Sequence, residues 1–130
     1  MGTWGSGPFD NDDAGDWTYG LTPDADERVV ERALTAVETT ADPVAAISQA
    51  AIAAAEVVAA GLGRPHVALP DEVADWVRSH PRLPWPELAP LAIRALARIV
   101  AGSELKELWA EEDDGAWSAE MEDLHDRLGA

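Results

Sequence analysis

Asp42-Pro43-Val44-Ala45-Ala46-Ile47-Ser48-Gln49-Ala50-Ala51-Ile52-Ala53-Ala54-Ala55-Glu56-Val57-Val58-Ala59-Ala60-Gly61 is the stretch whose reading decides the fold. Asp42-Pro43 has the order of a helix cap followed by a first-turn proline. Val44, Ile47, Ala51, Ala54 and Val58 then recur on one side at helical spacing. Ala50, Val57 and other small residues continue the apolar surface nearly all round, and Gly61 and Gly63 end it. A helix that is apolar on almost every side belongs at the centre of a bundle. Its alanines let neighbouring helices approach closely. Ser48, Gln49 and Glu56 interrupt the run, which argues against a membrane span and for a buried helix.

The flanking segments repeat the helical period, and none shows the sustained alternation of a strand. Upstream, Thr22-Pro23 is expected to start a helix whose Val29, Val30, Ala33, Leu34 and Val37 form one stripe. Downstream, Asp71 to about Ser79 makes a short helix with Val73, Trp76 and Val77 inward. The link His80-Pro81-Arg82-Leu83-Pro84-Trp85-Pro86 carries three prolines and is expected to be irregular, docked by Leu83 and Trp85. Leu88, Leu91, Ala92, Ala95, Leu96 and Ile99 mark a strong helix, with Pro90 expected in its first turn. Ser103 caps a short helix bearing Leu105, Leu108 and Trp109; Asp113 or Asp114 is expected to cap the last, bearing Trp117, Met121, Leu124 and Leu128. The expected architecture is all-α, a single-domain compact bundle of five to seven helices over residues 1–130. Residues 1–20 would form an acidic-aromatic loop and short helix packed on a body formed by residues 21–130.

That N-terminal segment is unusual for a chain end. Residues 2–17 hold four glycines, the aromatics Trp4, Phe9 and Trp17, and four aspartates, Asp10, Asp12, Asp13 and Asp16. Asp10 is expected to cap a helix to about Tyr19, with Phe9 and Ala14 as a hydrophobic staple. Glycines for turns and tryptophans as pins explain most of the rest. The surplus of carboxylates stays unexplained.

Charge is the strongest global signal. The chain of 130 residues has a formal net charge of −16. Residues 1–27 hold seven acids and no lysine or arginine, while residues 101–130 hold ten acids against Lys106 and Arg127. Between them, eight acids face seven arginines. Such a field repels phosphate, so neither nucleic acid nor anionic membrane is an expected partner. With no cysteine, disulfides and thiolate metal sites are excluded. No positive n-region or apolar h-region opens the chain, and a cytoplasmic location is the expectation.

Recognisable site chemistry fails on inspection. A calcium loop begun at Asp10 has Asp12 and Gly15 in place, but Ala14 and Leu21 stand where carboxylates are needed. His66, His80 and His125 lie far apart, without the spacing of a zinc pair. Gly5-Ser6-Gly7 lacks the strand and helix of a nucleophile elbow, and no lysine follows it as in a phosphate cradle. No catalytic residue, metal or cofactor is expected, and enzymatic activity is unsupported.

The opening Met1-Gly2-Thr3-Trp4-Gly5-Ser6-Gly7-Pro8-Phe9-Asp10-Asn11-Asp12-Asp13-Ala14 resembles the start of a bacterial family known as the domain of unknown function DUF4259. Ser103-Glu104-Leu105-Lys106-Glu107-Leu108-Trp109, followed by Trp117, resembles the same family. The resemblance implies no activity, cofactor or catalytic residue. The reading from residues is a small acidic protein-binding module, inhibitor- or immunity-like, engaging a basic protein partner. Trp4, Phe9, Asp10, Asp12, Asp13, Asp16 and Trp17 are its candidate contact residues. Two alternatives stand beside it: a small-ligand or cation-binding protein or enzyme with its site near the N-terminal loop, and a self-associating structural protein.

Overall fold

The structure is a computed structural model and describes residues 7–41, 43–112 and 115–129. Among the described residues seven helices follow one another: α1 (Asp12–Thr18), α2 (Glu27–Thr39), α3 (Ala45–Gly61), α4 (Asp71–Ser79), α5 (Trp85–Ala101), α6 (Glu104–Glu112) and α7 (Ala116–Gly129). There is no strand among the described residues. α3 is the axle, packing against each of the other six helices. Every residue from Ala51 to Ala59 is buried, as the run of small apolar side chains requires.

The neighbours present the expected stripes. Val30, Leu34 and Val37 of α2 are buried, with Val29 and Ala33 at the margin. α5 buries Leu88, Ala92, Ala95, Leu96 and Ile99, and α7 buries Trp117, Met121, Leu124 and Leu128. On α6 only Leu105 of the expected three is fully buried; Trp109 is half-buried and Leu108 is 48% exposed. Gly63, at φ +88°, turns the chain out of α3 in the left-handed region that glycine tolerates.

The start signals are where the sequence reading needs correction. Asn11, not Asp10, caps α1: its side chain accepts a 2.7 Å hydrogen bond from the Ala14 N–H. Asp10 instead accepts from the Gly7 N–H at 3.2 Å and closes the turn before the cap. The staple register therefore fails, because Phe9 stands two residues before the cap and Ala14 is the third helical residue. Ala14 is nonetheless fully buried, and Phe9 packs against the core.

α2 starts four residues beyond Thr22-Pro23, where Asp26 accepts from the Arg28 N–H at 3.0 Å and pairs with the Arg28 guanidinium. Hydrogen bonds from Arg28 hold the Asp26 carboxyl below its ordinary range. Asp42, the expected cap of α3, lies outside the described residues; the cap position is Val44, which has no capping side chain. Glu104 supplies the missing acceptor from α6, taking the Ala45 N–H at 3.0 Å.

α5 begins at Trp85, inside the proline-rich link, so Pro90 falls in its second turn rather than its first. Pro90 is exposed on the solvent side, where a missing backbone donor is cheapest. Ser103 caps α6 as expected, accepting from the Lys106 N–H at 3.1 Å. The expected cap of α7, Asp113 or Asp114, lies outside the described residues.

Trp85 and Gly61 are matched. A Cβ on Gly61 would lie 2.1 Å from Cδ2 of the Trp85 ring, so only glycine lets the indole cross the end of α3. Trp85 meets Trp76 edge to face, with ring centroids 6.4 Å apart, and the Trp76 indole donates to the Thr22 carbonyl at 2.8 Å. These contacts anchor the proline link and the segment before α2.

Candidate functional site

Two regions gather chemistry. The first is the N-terminal face. α1 displays Asp12, Asp13 and Asp16 to solvent, and none of these carboxylates meets a cation or donor among the described residues. Asp12 and Asp13 stand in the first turn of the helix, where its free N–H groups favour negative charge. Trp17, one turn beyond Asp13 on α1, is half-buried against the core. Tyr19 is 82% exposed just past the helix. A cleft of about 240 Å³ opens between Phe9, Asp12, Asp16 and Tyr19 on one side and Pro70 and Glu72 of the α3–α4 connection and α4 on the other. The fold thus adds Glu72 and Tyr19 to the sequence candidates. Of those candidates, Phe9, Asp12 and Asp16 line this cleft, Asp10 serves the turn, Asp13 points to solvent and Trp17 lies elsewhere. Trp4 lies outside the described residues.

The second region is a polar network that links α3, the α3–α4 connection and α7. Glu56 is 1% exposed, the one acid in the buried face of α3. Arg127 meets it with both terminal nitrogens, at 2.8 and 2.9 Å, the two-pronged geometry that suits guanidinium and carboxylate. The Arg127 Nε donates to Asp123 at 2.8 Å, and a terminal nitrogen also donates to the Arg64 carbonyl at 3.2 Å. Arg64 returns a hydrogen bond to the Arg127 carbonyl at 2.6 Å. Burial pushes the Glu56 carboxyl above its ordinary pKa, and the hydrogen bonds and charge of Arg127 pull it part of the way back.

His66 completes the network. Its Nδ1 accepts from the Ala68 N–H at 2.9 Å, so in the neutral ring the proton sits on Nε2, 2.8 Å from the Glu120 carboxylate. His66, Glu120 and Asp123 offer three ligand-type atoms within 4.8 Å of one another beside a cleft of about 490 Å³. Yet a metal at Nε2 needs that nitrogen's lone pair, and the Ala68 bond assigns it the proton instead. Asp123 is engaged by Arg127 as well. The arrangement is built to hold a proton and an ion pair, which fastens the C-terminal helix to the axle.

No motif in the sequence marks this network, where Glu56 stands only as a break in an apolar run. A carboxylate in a helix apolar all round has to find a cation, and Arg127 is the single arginine after residue 100. That mismatch is the signal the sequence carries.

The first region and the α3 side of the second lie on a segment with a family match. The chain belongs to the DUF4259 family. The model of that domain of unknown function matches residues 2–120, which covers the N-terminal face, Glu56, His66 and Glu120 but stops short of Asp123 and Arg127. No curated protein and no solved structure matches. No helix among the described residues is long and apolar enough to cross a membrane.

Proposed function

We propose that this DUF4259 chain is a cytoplasmic protein-binding module, inhibitor- or immunity-like, that holds a basic protein partner through its N-terminal face. The observation that carries the reading is the convergence of Asp12, Asp16, Glu72 and the exposed Tyr19 ring on one cleft, with no lysine, arginine or histidine lining it. Carboxylates left without partners are a standing attraction for guanidinium and ammonium groups, and an exposed phenol ring adds a face on which a cation can stack. At about 240 Å³ the cleft is below the size that buries a small organic ligand and is of a size to admit one long basic side chain. This favours a protein surface over the small-ligand alternative.

The test changes Asp12, Asp13 and Asp16 to Asn together and compares capture of basic proteins from the host lysate. The reading expects capture by the parent protein and its loss in the triple variant, while an unrelated acidic protein of equal charge captures a different set. An unchanged captured set removes the N-terminal face as the contact surface.

A further inference from the structure

A shallow apolar groove runs between α5 and α7 on a part of the surface distinct from the N-terminal face. Its floor is Leu96, Ala97 and Val100 from α5 with Trp117 and Met121 from α7, and its volume is about 710 Å³. Ala97 and Val100 are exposed, Val100 at 39%. A second cleft of about 240 Å³, reaching Trp109 and Lys106 of α6, shares Val100, Trp117 and Ser118 with the first. The two form one continuous furrow. On α7, Trp117 and Asp126 are nine residues apart, or about 13 Å of helix, which is room for two to three turns of another helix.

The formal charges that border the first groove have one sign, with His125 between them and Lys106 only in the adjoining cleft. Glu122 and Asp126 border the groove from α7, both exposed. Glu122 has no partner among the described residues, and Asp126 meets only His125, at 3.8 Å. Arg127 is occupied by Glu56 and Asp123 inside the fold, and Lys106 stands at the far end of the furrow. A second copy of the chain would bring the same carboxylates against themselves, so charge selects against self-association through this groove.

We infer that this groove docks an amphipathic helix of a basic protein, its apolar face on Ala97, Val100, Trp117 and Met121 and its lysines or arginines against Glu122 and Asp126. The inference rests on the proposed basic partner and gives that partner a second, apolar contact. Helix-in-groove recognition places anchors at i, i+3, i+4 and i+7, and the groove offers them the exposed Ala97 and Val100 above the nearly buried Trp117 and Met121.

The experiment titrates the labelled full chain, followed by NMR, with two synthetic basic peptides of about four helical turns and one composition. One places leucines at i, i+3, i+4 and i+7 among lysines; the other scatters them so that no apolar face forms. The expected result is tighter binding of the first by roughly tenfold, with shifts in Trp117, Met121, Ala97 and Val100. Ala97→Gln, at an exposed position, should fill the groove and abolish that advantage. The double change Glu122→Gln and Asp126→Asn should weaken the first peptide and flatten its salt dependence. Equal binding of the two peptides, with shifts confined to Asp12–Tyr19, overturns the groove and leaves the N-terminal reading intact. No binding of either peptide overturns both. Concentration-dependent shifts in the groove without peptide assign it to a second copy and overturn the inference.

Discussion

Replacing Arg127 by alanine would expose how strongly the C-terminal helix is tied to the centre of the fold. Glu56 is 1% exposed and Arg127 supplies both hydrogen bonds that compensate its charge. Removing one partner of such a pair leaves a buried charge, a loss of about 3–5 kcal/mol. For a chain of 130 residues that corresponds to a fall in Tm of about 10–20 °C. Chemical denaturation at pH 7 measures it directly.

The pH dependence gives a second handle. Burial raises the Glu56 pKa above its ordinary 4.5, and Arg127 is the group opposing that rise. A carboxyl with a raised folded-state pKa binds its proton more readily in the native state than in the unfolded one. Its contribution is thus fully present below the ordinary value and lost as pH climbs through the raised one. Without Arg127 the pKa rises further, so the deficit of Arg127→Ala should shrink as pH is lowered from 8 towards 5. Changing both partners to apolar residues, Glu56→Leu with Arg127→Met, should recover most of the loss, because neither charge is then left alone. A cost below about 1 kcal/mol for Arg127→Ala at pH 7, or a double variant as unstable as the single, would refute the reasoning.

Four further substitutions probe particular contacts. Gly61→Ala drives a Cβ to 2.1 Å from the Trp85 ring, and the expected loss of about 1–3 kcal/mol in denaturation exceeds the gain in helix propensity. Asn11→Ala removes the cap of α1 and should cost about 0.5–2 kcal/mol, with faster hydrogen exchange at the Ala14 amide. Asp10→Ala, which spares the cap, should leave that amide protected. Ser48→Ala should stabilise the fold by about 1 kcal/mol in the same denaturation assay, because the buried Ser48 hydroxyl has no hydrogen-bond partner among the described residues.

What the sequence discloses of the fold follows from what dominates the energetics. Apolar periodicity is set by burial, and it places α3 at the centre, the stripe of α2, the four anchors of α7 and the inward face of α5. Starts are settled by single hydrogen bonds worth about 1 kcal/mol, between which neighbouring residues compete closely. Thus Asn11 displaces Asp10, and Asp26 displaces Thr22. The cap of α3 is illegible for another reason: Glu104 reaches it from 59 residues away. The sites divide in the same manner. The carboxylates of the N-terminal face cluster between Asp10 and Asp16 and are visible, whereas Glu72, at the same cleft, arrives by tertiary packing. The Glu56–Arg127 pair spans 71 residues and is announced only by the impropriety of a lone acid in an apolar helix.

The measurement that bears most directly on the proposed function is the affinity of a short arginine-rich peptide without leucine for the parent chain and for the Asp12→Asn, Asp13→Asn, Asp16→Asn variant across a salt series. The two cleft carboxylates, Asp12 and Asp16, and the neighbouring exposed charge of Asp13, at about 0.5 kcal/mol each, amount to about 1.5 kcal/mol, or about tenfold in Kd at low salt. The account predicts that difference, its disappearance as salt screens the exposed charges, and NMR shifts centred on Asp12, Asp16, Tyr19 and Glu72. Equal affinity of the two proteins at every salt concentration, with shifts spread over the whole acidic surface, would contradict it.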